Sequence, residues 1–430
     1  MTTSSTYHGE IDHFIVFSVD IVGSTAFKTS PAGSKISREN GIHAWAIVTD
    51  RIFDTLRKKL EHLSAQGWPR GSGTQLPVPR FWKTRGDELL LVCPVQSCIE
   101  VARLVSNFLI VVDNERNELK KSRGGEASAQ AETDLEQFDT SMISLKSAIW
   151  IARFPFENVA KIESEDQDDR NFQYFSHVRA RLRQNPSDCD LNGPEIDAGF
   201  RLSALATEEQ TPISVDLAWV LTFAQHGSDF NHHIRYIRRV ELKGVRYGAV
   251  YPHIVLLTDN DSPKSRLQRT TIEYEDEILG RSRDVAKMKG FCVSWMLEHD
   301  FAPMRFNDEM LPGKIEDHQR IQLGRLWDQQ HAAIEEFKRL QAAQQEISDR
   351  ADDGYAEPEP QMMLVASSQT AVRGGPRRRS DTQASAQAIP TSTTTTFANQ
   401  RSFSQHLPGR SIRSPAVPNP RGPKPPKSPR

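Results

Sequence analysis

The chain has 430 residues, more than one domain usually holds, so two ordered units plus a tail are expected. Hydrophobic residues make up 37% and mean hydropathy is −0.55, too little apolar surface to fold every segment. A net charge of −2 gives the whole molecule no bias toward nucleic acid or anionic membrane.

Residues 1–11 read as a flexible N-terminus, and Met1-Thr2-Thr3-Ser4-Ser5 lacks the basic start and apolar core of a signal peptide. Phe14 to Val22 reads as a buried strand that delivers the carboxylate Asp20 to a small-residue turn, Gly23-Ser24-Thr25. Asp20 is a hard oxygen donor for a divalent metal, and the turn can offer backbone N–H groups to a phosphate. The same pattern also fits an edge strand that ends in a helix cap. Ser37 to about Glu61 carries Trp45, Val48, Ile52 and Leu56 at helical spacing. Gly67 to Pro79 reads as a loop, and Phe81 to Val92 as a hairpin turning at Arg85-Gly86-Asp87. Ile99 to Val112 predicts a second amphipathic helix, and Asn114 to Asp139 a polar insertion. Ile143 to Ala152 predicts a strand, Ala198 to Thr207 a short helix, and Val240 to Leu257 a closing hairpin; Ile213 to Thr222 mixes both signals. The order β-α-β-β-α-β, with later α and β additions, fits a ferredoxin-like supersecondary plan.

From 261 to 350 the pattern is helical, with an apolar stripe of Leu323, Leu326, Trp327, Ile334, Phe337 and Leu340 suited to packing or oligomerisation. Residues 352–430 read as a disordered, low-complexity basic tail, in which only Asp381 opposes the Arg and Lys residues after Val372. The tail can touch nucleic acid, lipid or a partner, or none of them; the folded part has no basic surplus, so no specific nucleic-acid partner is expected. Cys93, Cys98, Cys189 and Cys292 lack metal-like pairing and read as reduced thiols. With no apolar stretch of bilayer length, these features predict a cytoplasmic protein without membrane insertion.

Four segments together resemble one family. Phe17 to Thr25, with Asp20, is similar to the first metal motif of class III nucleotidyl cyclases, and Lys83-Thr84-Arg85-Gly86-Asp87-Glu88 to their second. Asp190 to Leu202 resembles the segment that carries an Asp, a Gly, an Asn and, four residues later, an Arg; here these fall on Asp190, Gly193, Asp197 and Arg201. Val240 to Val245, followed by Val250-Tyr251, resembles the terminal Lys-Gly hairpin.

The resemblance covers roughly residues 12–258 and implies an α/β (α+β) cyclase domain with a central, mostly antiparallel sheet, acting as a head-to-tail homodimer with its sites at the interface. Asp20, Asp87 and the carbonyl of Ile21 would hold two divalent cations, Mn²⁺ or Mg²⁺. Gly23, Ser24, Thr25 and Lys243 would bind the triphosphate, and Lys83 and Asp190 the base. Arg201 and Asp197 would be catalytic, Arg201 facing the charge that grows on the transferred phosphate; a guanidinium, which never deprotonates, suits that role. Read singly, these side chains also fit a surface ion pair, solvated strand ends and turn caps. Asp197 departs from the family's asparagine: a carboxylate only accepts hydrogen bonds, where an amide also donates, and it adds charge beside a polyanion. In this the segment looks most like the pyrimidine cyclases of Pycsar anti-phage systems. That implies conversion of UTP to cUMP, a messenger for a downstream effector. Cytidylate or adenylate cyclisation, and a degenerate nucleotide-binding module without turnover, are the alternatives.

Overall fold

The computed structural model describes residues 11–36, 41–66, 75–121, 140, 142–155, 157–162, 178–224, 230, 232–245, 248, 250–257, 263–280, 284–306 and 317–352. The chain divides into two units, Met1–Glu359 and Pro360–Arg430, and everything described belongs to the first. The expected basic tail beyond 352, the start before 11 and most of the 114–139 insertion lie outside the described residues.

The first half runs β1 (Asp12–Val22), α1 (Ser24–Thr29), α2 (Ala44–Ala65), β2 (Arg80–Arg85), β3 (Glu88–Val95), α3 (Cys98–Lys121), β4 (Ser144–Phe154) and β5 (Val159–Ile162). The second half runs α4 (Arg179–Gln184), a 3₁₀ turn at Pro186–Asp188, β6 (Cys189–Asn192), α5 (Pro194–Ser203), β7 (Gln210–Ile213), α6 (Val215–Ala224), β8 (Ile234–Glu241) and β9 (Val250–Leu257). Three helices follow: α7 (Pro263–Ile278), α8 (Val285–Glu298) and α9 (Asp317–Asp352).

Seven strands form one sheet in the order β2-β3-β1-β4-β7-β9-β8, and β5 and β6 pair as a separate ribbon. Only the β4–β7 pairing is parallel, so the fold is α+β with a mostly antiparallel sheet. Strand β1 sits inside the sheet and is apolar on both faces. Ile15, Phe17 and Val19 join the core under α2, α3, α6 and α8, while Phe14 and Val16 join a second cluster with Trp82, Trp150 and Ile196 of α5. No described helix is long and apolar enough to cross a membrane.

Several boundaries differ from the sequence reading. Helix α2 starts at Ala44, after Gly41 at φ 71° and an isolated bridge between Ile36 and His43; the expected start at Ser37 lies outside the described residues. Helix α3 runs on to Lys121, through the start of the expected insertion. Its buried charges are paired there: Lys59 meets Glu115 at 2.6 Å, and Arg116 donates to the carbonyl of Leu145 at 2.7 Å. The short helix is Pro194–Ser203, not Ala198–Thr207, with Pro194 in its first turn after the left-handed Gly193. Arg201 therefore sits in the last turn of α5, whereas a helix from Ala198 to Thr207 would hold it in the first.

Helices α8 and α9 pack on the sheet domain's own core, while α7 is tied to β8 through the Arg235–Asp276 ion pair at 2.7 Å. Cys292, Val293, Trp295 and Met296 of α8 join the main apolar cluster, as does Leu323 of the predicted stripe. Leu340 of that stripe stays about half exposed. Residues 301–306 form a strap across the domain. Arg153 donates to the carbonyl of Ala302 and Trp219 to that of Met304, at 2.7 and 2.9 Å.

Candidate functional site

Strand pairing puts Asp20 opposite Glu88 of β3 and Lys146 of β4. The same register runs the length of β1, from His13 opposite Val95 to Asp20 opposite Glu88 on β3, and from Asp12 opposite Phe154 to Val22 opposite Ser144 on β4. Gly23 then turns the chain at φ 79°, where a Cβ would collide with the carbonyl oxygen of Met142, and α1 starts at Ser24. Asp87 lies in the tight β2–β3 turn, beside Gly86 at φ 68°. Two contacts tie it to the end of β1: the Ile21 N–H donates to the Asp87 carbonyl at 3.2 Å, and the Ser24 hydroxyl donates to the Asp87 carboxylate.

The result is an open cavity of about 550 Å³ whose lining includes Asp20, Ile21, Gly23, Ser24 and Asp87. Glu208 and Glu209, between α5 and β7, supply further acid to its wall. Lys146 also lines it, with Nζ 2.9 Å from Asp20 Oδ2. The donor set suits a hard cation: two carboxylates and nearby backbone oxygen, with room for the phosphate and water oxygens that Mg²⁺ or Mn²⁺ keeps. Among the described residues, no group of three or more His, Cys, Asp or Glu side chains forms an all-protein metal cage. Such a cation would thus rest on Asp20, Asp87 and its other ligands.

The remaining predicted residues fall outside that cavity lining. Lys83 and Asp190 meet each other: Lys83 Nζ donates to Asp190 Oδ1 at 2.8 Å, and Asn192 donates to the other oxygen, also at 2.8 Å. Burial pushes the Asp190 carboxyl up, but the hydrogen bonds from Lys83 and Asn192 outweigh it and hold the group below its ordinary range. The pair is set in place by Trp82, whose indole N–H donates to the Cys189 carbonyl at 2.9 Å and whose ring lies 4.6 Å from Lys83 Nζ. Asp197 and Arg201 are four residues apart on the exposed side of α5. Thr25 is exposed, and Lys243 is exposed in the turn after β8, which Gly244 closes at φ 78°.

Helix α5 owes its position to two buried features. Gly199 lies against Trp150, leaving no room for a Cβ. Glu195, in the first turn, is clamped by Arg153, which donates from Nε and Nη2 to Oε1 at 2.9 and 2.7 Å. Asn158 adds a third bond to Glu195 at 2.7 Å. Sequence reading passed over Lys146, Arg153 and Glu195. A signal for Lys146 exists only once β1 and β4 are paired in register, and charged residues inside β4 and α5 read as surface until their partners are known.

No protein-family model matches this sequence, and no curated protein does. Among solved structures, the chain is similar to the adenylyl cyclase CyaB from P. aeruginosa. Identity is 12%, over 58% of this chain and 95% of that one, with a TM-score of 0.36. It is also similar to a bacterial light-regulated adenylyl cyclase, at 12% identity over 61% and 98% of the two chains and a TM-score of 0.34. The guanylyl cyclase Cya2 matches at 10% identity over 59% and 94%, with a TM-score of 0.32.

Proposed function

We propose that the protein is a metal-dependent nucleotide cyclase that converts a nucleoside triphosphate, with UTP favoured, to the 3′,5′-cyclic monophosphate and pyrophosphate. The observation that carries this reading is the joining of Asp20 and Asp87, from separate motifs, on one cavity wall. Bound divalent cations would neutralise the triphosphate and lower the pKa of the attacking hydroxyl. Asp20, Asp87 and the Ile21 carbonyl would hold them, and Gly23 and Ser24, on the same cavity wall, would meet the phosphates. The substrate's 3′-oxygen bonds to the α-phosphorus, the bond to pyrophosphate breaks, and the hydroxyl proton leaves to solvent. Arg201 stabilises charge that develops on the transferred phosphate, and Lys243 holds the triphosphate. The Lys83–Asp190 pair reads the base edge with one donor and one acceptor. Asp197 faces the ribose as an acceptor.

On one chain the acidic cavity group stands apart from the rest: Lys83 and Asp190 on β2 and β6, Asp197 and Arg201 on α5, and Lys243 after β8. That division supports a head-to-tail homodimer in which each site takes one group from either subunit. The Asp197 substitution supports the pyrimidine assignment and, with it, a cytoplasmic role as a second-messenger source in anti-phage defence, acting on a cyclic-nucleotide-activated effector. One observation favours a second reading, a nucleotide-binding module without turnover: Lys146 already neutralises Asp20. Asp20→Ala and Asp87→Ala separate the two. Each variant should lose cyclic product by at least about a hundredfold with an unchanged circular dichroism spectrum. Wild-type rates in either would contradict the two-carboxylate mechanism.

A further inference from the structure

We propose that Lys146 is a resident counter-ion of the Asp20 position, which a divalent cation must displace, and that it thereby sets the site's affinity for metal. The inference rests on the reading of Asp20 as a metal ligand. Strand pairing forces the contact: Asp20 of β1 and Lys146 of β4 are direct cross-strand partners, and opposite charges so placed attract. Nζ stands 2.9 Å from Oδ2, and the two side chains are only 26% and 28% exposed, so water screens the pair incompletely. Both line the same cavity, with Asp87, Glu208 and Glu209 as the other charged groups there.

A cation arriving at this wall meets two costs from Lys146. It must compete with Lys146 for the Asp20 carboxylate, displacing it from Oδ2 to bind both oxygens, and it must share the cavity with a like charge. Carboxylates from the β2–β3 turn and the α5–β7 loop hold the cavity acidic overall, so displacement is possible and Lys146 moderates the affinity rather than abolishing it. The freed ammonium stays on the wall, beside the phosphates that follow the metal in.

The test is Mn²⁺ binding to the full-length protein, read from the electron paramagnetic resonance signal of free Mn²⁺ without nucleotide. Lys146→Met should bind about tenfold more tightly than wild type, the scale of removing one poorly screened ion pair and its repulsion. Lys146→Gln should do the same, which guards against a fold defect in one variant, and Lys146→Arg should match wild type. Asp20→Asn should bind far more weakly. Equal or weaker binding by both neutral variants, with wild type and Asp20→Asn as expected, would overturn the counter-ion role alone. No Mn²⁺ bound by wild type, or equal binding by Asp20→Asn, would overturn the metal-ligand reading as well.

Discussion

Replacing Arg153 with methionine removes the cation from a cluster that is almost wholly buried, Arg153 itself being 1% exposed. Its guanidinium makes bonds of 2.9 and 2.7 Å to Glu195, one of 2.7 Å to the Ala302 carbonyl and a longer one of 3.5 Å to Glu157. Methionine fills part of the volume but donates nothing. Glu195 keeps its bonds from Asn158 and from the Arg153 backbone N–H, at 2.7 Å each, yet its charge loses its counter-ion. Breaking a buried pair in this way costs about 3–5 kcal/mol. The orphaned Ala302 carbonyl lies within the same range of effects rather than adding fully to it, since the strap can shift toward water. We expect a loss of about 4 kcal/mol in urea unfolding and a fall in Tm of roughly 10 °C. Hydrogen exchange should speed up most in α5 and around residues 301–306. The double variant Arg153→Met, Glu195→Gln should recover part of the loss, because it removes the nearest stranded charge and leaves Glu157 and Asp216, which stand 3.5 and 4.0 Å from the native guanidinium. A loss below about 1 kcal/mol in the single variant would refute the assignment of this cluster as the clamp that seats α5.

Two further outcomes follow from buried geometry. Gly199→Ala should lower stability by about 1–3 kcal/mol, because the new methyl group meets the Trp150 ring; an unchanged Tm would show that α5 can move off the sheet freely. His253 is 6% exposed, and neither ring nitrogen has a hydrogen-bond partner among the described residues. Burial first, and then the Arg238 charge, lowers its pKa. The unfolded chain therefore takes up a proton near pH 6.5 that the folded chain refuses, so His253 costs stability as pH falls below about 6.5. His253→Phe should flatten the decline in stability between pH 7.5 and 5.5, and an unchanged slope would contradict the buried neutral imidazole.

Much of the cavity wall is legible in the sequence because its signals are local. An apolar run ending in Asp20 and a Gly-Asp turn at Asp87 report their own strand ends, and Gly23 reports its own left-handed turn. Gly193-Pro194 marks the start of α5 in the sequence as well, a positive-φ glycine followed by a proline suited to the first helical turn. What hydropathy could not reveal is long-range pairing. Lys146, Arg153, Glu195 and Arg116 are charged, and each counts as surface until a partner from another element is known. The β5–β6 ribbon escaped for a related reason: its four-residue strands carry too little alternation to stand out. The strap at 301–306 is irregular backbone fixed by indole and guanidinium donors, which no periodicity announces.

The central claim is that this cavity makes a cyclic nucleotide. The direct measurement is incubation of the full-length protein with each of ATP, GTP, CTP and UTP in Mn²⁺, with mass identification of the products. The account predicts a 3′,5′-cyclic monophosphate with equimolar pyrophosphate, greatest from UTP. A product greatest from ATP or CTP would overturn the base assignment and keep the chemistry. No cyclic product from any of the four would contradict the claim itself.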